Sequence, residues 1–469
     1  MKKLLLITLC YFIFDSIAIS QNFVDIKTIS SQGESVASAV NLNGSFVFLH
    51  QETPELLKLF KSDGTLKGTS EIYQFNGMYR TTDYILGDYN FTNNGLYYFV
   101  VEDDKGKELW RTDGTKKGTF IVKDIAQGKA SDGTPFSSSP HFFCKNNDKI
   151  LFAASQSGYK NENSCNRTWR SKIFETDGTN EGTKIIVDNL CSPPSNMIKV
   201  GNTYIAYFND GWLYSGSKKG LYRLSNNQFE LIKGDYTYLS SSPLYAVINP
   251  NCCLFEAEYN NSNNRMICLW KTDGTSGGTT LLSSINNQTN KTQINYSPSY
   301  TIANNTLYFV VNHFSSTDYN AKIDYVELWK SDGTISGTVK IKDFKPKGNM
   351  LFNLSNLKTF NNKVIFVWDD QNKVELWISD GTETGTYKLK DTQSNYNISL
   401  AATDKYLYFT QGSSIWVTDG TVNGTHQCKN FVPNVNDYIS NLTNVNNTIF
   451  FTLSTYSHYR HLYKITSDK

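Results

Sequence analysis

Between Tyr300 and Phe344 the apolar positions come in short runs: YTIA, an Asn-Asn pair, TLYFVV, a polar stretch, VELWKS, a DGT turn and GTVKIKDF. Runs of this length, rich in Val, Ile, Tyr, Phe and Trp and bounded by Asn, Gly and Asp, read as β-strands. The unit therefore predicts four strands joined as a meander. Its first hairpin returns as TFNNKVIFV, NVNNTIFFT, KVGNTYIAY and NLNGSFVFL. Each has Asn or Gly at the bend, where a positive φ costs little.

The third strand sets the period. Aligning on its aromatic gives Phe60, Trp110, Phe174, Tyr222, Trp270, Trp329, Trp377, Trp416 and Tyr463. The commonest spacing is 48 residues, as from Phe174 to Tyr222, from Tyr222 to Trp270 and from Trp329 to Trp377. A period of that size with four strands per unit predicts a β-propeller rather than a helical solenoid. In VELWKS, Leu328 and Trp329 are adjacent and so point to opposite faces of the strand. A strand apolar on both faces belongs between two neighbouring sheets, which is where a propeller blade sits. The expectation is a single closed all-β propeller over residues 21–469 with about nine four-stranded antiparallel blades, eight being the alternative because the fourth unit is degenerate and the eighth short.

The repeated Asp is read as a bend and not as chemistry. It recurs at Asp63, Asp113, Asp177, Asp273, Asp332, Asp380 and Asp419, whereas an active site needs one or two such groups. Gly after it supplies a left-handed residue. The fourth unit, GLYRLSNNQFELIKGD, replaces the turn by Ser225-Asn226-Asn227 and keeps its strands. The two ends complement each other: the segment Phe23 to Ile29 looks like a fourth strand with no third strand before it, and HLYKITSDK has a third strand with no fourth. Joining them closes the last blade and leaves no free edge.

These residues resemble the ELWxxDGT repeat family, exported bacterial β-propeller proteins named for the motif. Seven of the nine units carry D-G-T-x-x-G-T, and the likeness covers nearly the whole chain after residue 20. The resemblance implies a propeller in an exported setting. It implies no established activity and no catalytic residues.

Residues 1–20 fit a signal peptide, with Lys2 and Lys3, the apolar run LLLITLCYFIF and small residues at Ala18 and Ser20. The run is shorter than the ~20 apolar residues of a spanning helix, so secretion or cell-surface placement is expected rather than a membrane span. A formal net charge of +2 with seven Arg gives no electrostatic footprint for nucleic acid. The cysteines match no zinc spacing. In an exported chain they predict one to three disulfides, Cys165 with Cys191 and Cys252 or Cys253 with Cys268 being the pairs that lie within one repeat.

Insertions concentrate between second and third strands, as in SQSGYKNENSCNRTWRS and NHFSSTDYNAKIDY. In a meander these connections emerge on the same side as the links between blades, while the Asn and Asp-Gly turns occupy the other. Binding groups are expected on the varied side. The candidates there are Trp169, Arg170, Tyr259, Arg265, His313, Asp318, Tyr319, Asp369 and Asp370, aromatics and polar groups suited to stacking on sugar rings and bonding their hydroxyls. The acid pairs Asp103-Asp104 and Asp369-Asp370 fall short of the 6 to 8 oxygens of a calcium site, and no cofactor or metal is implied.

The six His show no metal-binding spacing and no G-x-S-x-G elbow is present. The favoured reading is a monomeric, non-catalytic propeller that binds a glycan or a surface protein. The alternative is a glycan-active hydrolase or lyase with its site at the mouth of the central channel.

Overall fold

The protein is described by a computed structural model covering residues 21–467 apart from 31–34, 54, 77–90, 157–169, 209–217, 235–245, 262–263, 286–291, 295–299, 315–322, 346–352, 370–372, 393–397, 429–430, 432–433, 435–436 and 457–458. All regular structure among these residues is β, in nine antiparallel sheets. Blade 1 is typical: Ser35–Leu42, Ser45–Thr53, Leu56–Ser62 and Ser70–Asn76, hydrogen-bonded in that order, and blades 2 to 9 follow along the chain over 91–123, 141–190, 196–234, 246–284, 292–344, 353–392, 400–427 and 438–467. In blade 6 the strand Thr292–Ile294 adds a short fifth member, extending the place of Tyr300–Ala303 along Thr306–Phe314. The nine blades form one ring, as the repeat count predicts.

Nine separate apolar clusters lie between consecutive blades, and they explain the Leu-Trp pair. Leu328 packs toward blade 7 and Trp329 toward blade 5. Leu109 and Trp110 divide themselves likewise between blades 3 and 1, and Leu376 and Trp377 between blades 8 and 6. Every third strand thus joins its two neighbours. Burying such side chains stabilises by ~1.5–3 kcal/mol each, so the ring is held by many equivalent interfaces.

Closure follows the same rule. Gln21–Ser30 pairs with Arg460–Ser467, with Phe23 opposite Ile465, and completes a blade begun by Tyr438–Val445 and Thr448–Ser454. Leu462 packs toward blade 1 and Phe60 toward blade 9, in the cluster that also holds Phe46 and Phe450. The junction of last and first blades is built like the other eight.

First strands of neighbouring blades approach each other, and Thr359 Oγ1 of blade 7 donates to the Ile302 carbonyl of blade 6 at 2.9 Å. First strands are therefore innermost and fourth strands form the rim. This fixes two unlike sides. One carries the first hairpin turns and the DGT turns; the other carries the second-to-third connections and the links between blades.

Candidate functional site

The turn side is uniform because each motif residue has a task. In blade 6, Asp332 Oδ1 accepts the Thr334 amide at 2.9 Å and the Thr334 hydroxyl at 2.7 Å. Thr334 Oγ1 accepts the Gly337 amide at 2.9 Å, and Thr338 Oγ1 donates to the Thr334 carbonyl at 2.6 Å. Gly333 has φ +85°, a value only Gly adopts without strain. Gly337 is needed for space: a Cβ there would lie 2.1 Å from Asp332 Oδ1. The same Asp–Thr bonds recur from Asp63, Asp113, Asp177, Asp273, Asp380 and Asp419. The Thr hydroxyl bond is the main reason that Asp63, Asp177, Asp273, Asp332 and Asp380 are held below the usual carboxylate range. In blade 4, Asn226 and Asn227 at φ 49° and 60° make the two-residue turn that replaces the motif.

The Glu of ELW is also engaged. Glu375 Oε1 meets Lys388 on the neighbouring fourth strand at 3.2 Å, and its Oε2 accepts Trp377 Nε1 at 2.9 Å. Blade 6 repeats this with Glu327, Lys340 and Trp329. In blade 1 the polarity is reversed, Lys58 facing Glu71 at 3.5 Å, and in blade 3 Lys172 meets Asp188 at 3.2 Å. A position that accepts either sign serves cross-strand pairing rather than proton transfer.

Glu108 departs from this pattern. It is fully buried, and its carboxylate accepts the amides of Ile125 (3.3 Å), Ala126 (3.2 Å) and Ser138 (3.1 Å) and the Ser138 hydroxyl (2.5 Å). It thereby fastens both limbs of the link from blade 2 to blade 3. Burial pushes its pKa up to about 7 against those four bonds.

The varied side holds connections of unequal length. Two residues separate Leu407–Gln411 from Ser414–Thr418, and thirteen separate Lys149–Gln156 from Arg170–Thr176. Of the predicted contact residues, Trp169, Asp318, Tyr319 and Asp370 lie outside the described residues. Arg170 opens the third strand of blade 3, opposite Gln156, and Asp369 closes the second strand of blade 7, opposite Val374. Tyr259 and Arg265 are not loop residues as expected. Alternating backbone pairing continues to Asn261 opposite Asn264, so both sit in a long hairpin, Tyr259 opposite Met266 and Arg265 opposite Asn260. His313 is likewise in a strand. It stacks on Tyr325 with centroids 4.1 Å apart and places Nε2 2.9 Å from Glu327 Oε2. Burial works against the ionised form of Glu327, but His313, Trp329 and Lys340 outweigh it and keep the carboxyl below its ordinary value. The alternation D-Y-V-E-L-W, which sets Tyr325, Glu327 and Trp329 on one face, was the signal for this group.

Cys191 is disulfide-bonded; Cys165, its expected partner, lies outside the described residues, as does the segment 1–20. The expected link from Cys252 or Cys253 to Cys268 is absent, and none of the three is in a disulfide. The register explains it: Cys253 lies opposite Thr272 and Cys268 opposite Ala257, four residues apart along the ladder and beyond disulfide reach. Cys144 and Cys428 are likewise in no disulfide, each pushed up by burial to about 12, which makes them poor nucleophiles. Among the described residues no three His, Cys, Asp or Glu converge as a metal site, and no helix is long and apolar enough to cross a membrane.

No protein-family model and no curated protein matches the chain. Among solved structures, a prolyl endopeptidase is similar over 91% of this chain at 9% identity and a TM-score of 0.42, the chain spanning 55% of that protein's length. An oligogalacturonate lyase in complex with manganese is similar at 11% identity and a TM-score of 0.42, covering 96% of this chain and 97% of that one. A GH74 enzyme of Niastella koreensis is similar at 11% identity and a TM-score of 0.35, covering 93% and 73%.

Proposed function

We propose that the chain is an exported, non-catalytic β-propeller of the ELWxxDGT repeat kind that binds an extracellular partner, a glycan or a surface protein, through its varied side. The observation that carries this reading is the contrast between the two sides. One is a rim of near-identical turns whose Asp side chains are occupied within the turn, as Asp332 is by Thr334. The other presents connections of two to thirteen residues between second and third strands on a rigid ring. Variation confined to one side of a fixed scaffold is the arrangement of a recognition surface.

The test is a pull-down of surface extracts and a glycan array, using the chain from residue 21 onward. Two variants replace 157–169 or 315–322 by short Gly-Ser linkers, and a third carries Lys116→Ala and Lys117→Ala on the turn side. Saturable binding that falls at least tenfold in a linker variant and survives the turn-side substitutions is expected. Release of new reducing ends or unsaturated sugars from a glycan would overturn the non-catalytic reading, and binding lost only by the turn-side variant would overturn the assignment of the side.

A further inference from the structure

The varied side carries an aromatic group that the insertions do not reveal. There, in blade 9, Tyr438, Tyr456 and Tyr459 are 46%, 75% and 44% exposed. Tyr438 begins the innermost strand, opposite Ser454, and the other two lie in the connection that follows Ser454. Asp437, 7% exposed and next to Tyr438 in the chain, anchors Tyr456: Oδ1 accepts the Tyr456 amide at 3.1 Å and Oδ2 the Asn434 amide at 2.9 Å. Across the connection the Thr455 amide donates to the Tyr459 carbonyl at 2.9 Å, and the Tyr459 amide donates to Thr455 Oγ1 at 3.1 Å. The backbone of Tyr456 is thus held to the start of the Tyr438 strand by a buried carboxylate, and that of Tyr459 is held by Thr455.

Resting on the glycan branch of the proposed function, we propose that Tyr438, Tyr456 and Tyr459 form a stacking platform for a polysaccharide chain. A tyrosine ring offers an apolar face to the C–H side of a sugar and a hydroxyl to its polar edge. Size separates the classes of partner. At the ~150–250 Å² that an aromatic side chain buries, the three exposures amount to on the order of 250–400 Å². That is at most about half of the ~800 Å² per partner in a stable protein interface, and a few sugar units need no more. Fixed rings also bind with little loss of side-chain freedom, since Tyr has few rotatable bonds.

Affinity electrophoresis tests this in gels holding xylan, laminarin, polygalacturonate or soluble starch. The chain from residue 21 is compared with Tyr456→Ala, the double variant Tyr438→Ala/Tyr459→Ala, Tyr456→Phe and the rim control Tyr387→Ala, all with matching thermal melts. Retardation in at least one gel, weakened tenfold or more in both alanine variants and kept in Tyr456→Phe and Tyr387→Ala, is expected. Retardation that the alanine variants leave unchanged would overturn the platform while the varied-side reading stands. Retardation in no gel would also overturn the platform, and the pull-down then decides the broader reading alone.

Discussion

Phe46 in the first blade stacks on Phe450 in the last, ring centroids 5.1 Å apart and planes 9° from parallel. The two side chains are separated by most of the sequence and both are buried. Their contact is one of nine equivalent interfaces, so cutting it opens the ring. Phe450→Ala is expected to cost ~3–5 kcal/mol, as for a large aromatic removed from a core, read as a lower midpoint in urea. Deleting 21–29 should do more, since it leaves Arg460–Ser467 as an unpaired edge; size-exclusion chromatography should then show association.

In the DGT turn the two glycines fail for different reasons. Gly337→Ala drives a Cβ onto the Asp332 carboxylate, and Gly333→Ala forces a left-handed φ on a residue with a side chain. In thermal or urea melts Gly333→Ala should cost ~1–3 kcal/mol, the range for local backbone strain, and Gly337→Ala ~1–3 kcal/mol, the range for overpacking. Asp332→Ala should cost ~1–2 kcal/mol through its two lost bonds, and Asp332→Asn less, because an amide oxygen still accepts.

The same turns set the acid limit of the fold. Asp63, Asp177, Asp273, Asp332 and Asp380 titrate below their ordinary value in the folded state. Their contribution is complete above the unfolded carboxylate value of ~3.9 and is lost as pH falls through the depressed folded values. Melting temperature should therefore drop steeply below about pH 4, in proportion to the number of DGT turns kept.

Glu108 acts with the opposite sign. Its folded pKa of about 7 lies above its ordinary 4.5, so the folded state binds the extra proton. Its contribution is greatest below pH 4.5, declines as pH rises to about 7 and is level beyond. Glu108→Gln should remove that slope from a plot of stability against pH. Glu108→Ala should cost ~2–4 kcal/mol, because it leaves the amides of Ile125, Ala126 and Ser138 buried without their acceptor.

Much of this was legible in the sequence. Adjacent Leu and Trp can only face opposite ways on a strand, and that fact alone predicts stacked blades. The terminal segments read as halves of one blade because each lacks a partner strand. What the sequence concealed is contact between residues whose register it leaves open. Gly337 looks like a turn residue, yet its reason is the Asp332 carboxylate lying where a Cβ would be. Glu327 and Lys340 pair across strands, and reversal of that pair as Lys58 and Glu71 hides it from any search for a repeated acid. Cys253 and Cys268 are close in sequence, but the hairpin sets them four positions out of step. Of the exposed tyrosines of blade 9, Tyr438 opens a strand while Tyr456 and Tyr459 fall in a short connection, and only the buried Asp437 joins the connection to that strand.

The two-sided ring depends on its ends sharing one blade, and Val24 lies directly opposite Lys464 in that blade. Cysteines placed at both positions, oxidised and mapped by mass spectrometry, test this directly. A peptide linking residues 24 and 464 within one chain, with a raised melting temperature, is the predicted result. A chain in which these cysteines stay reduced, or join only between molecules, would contradict it.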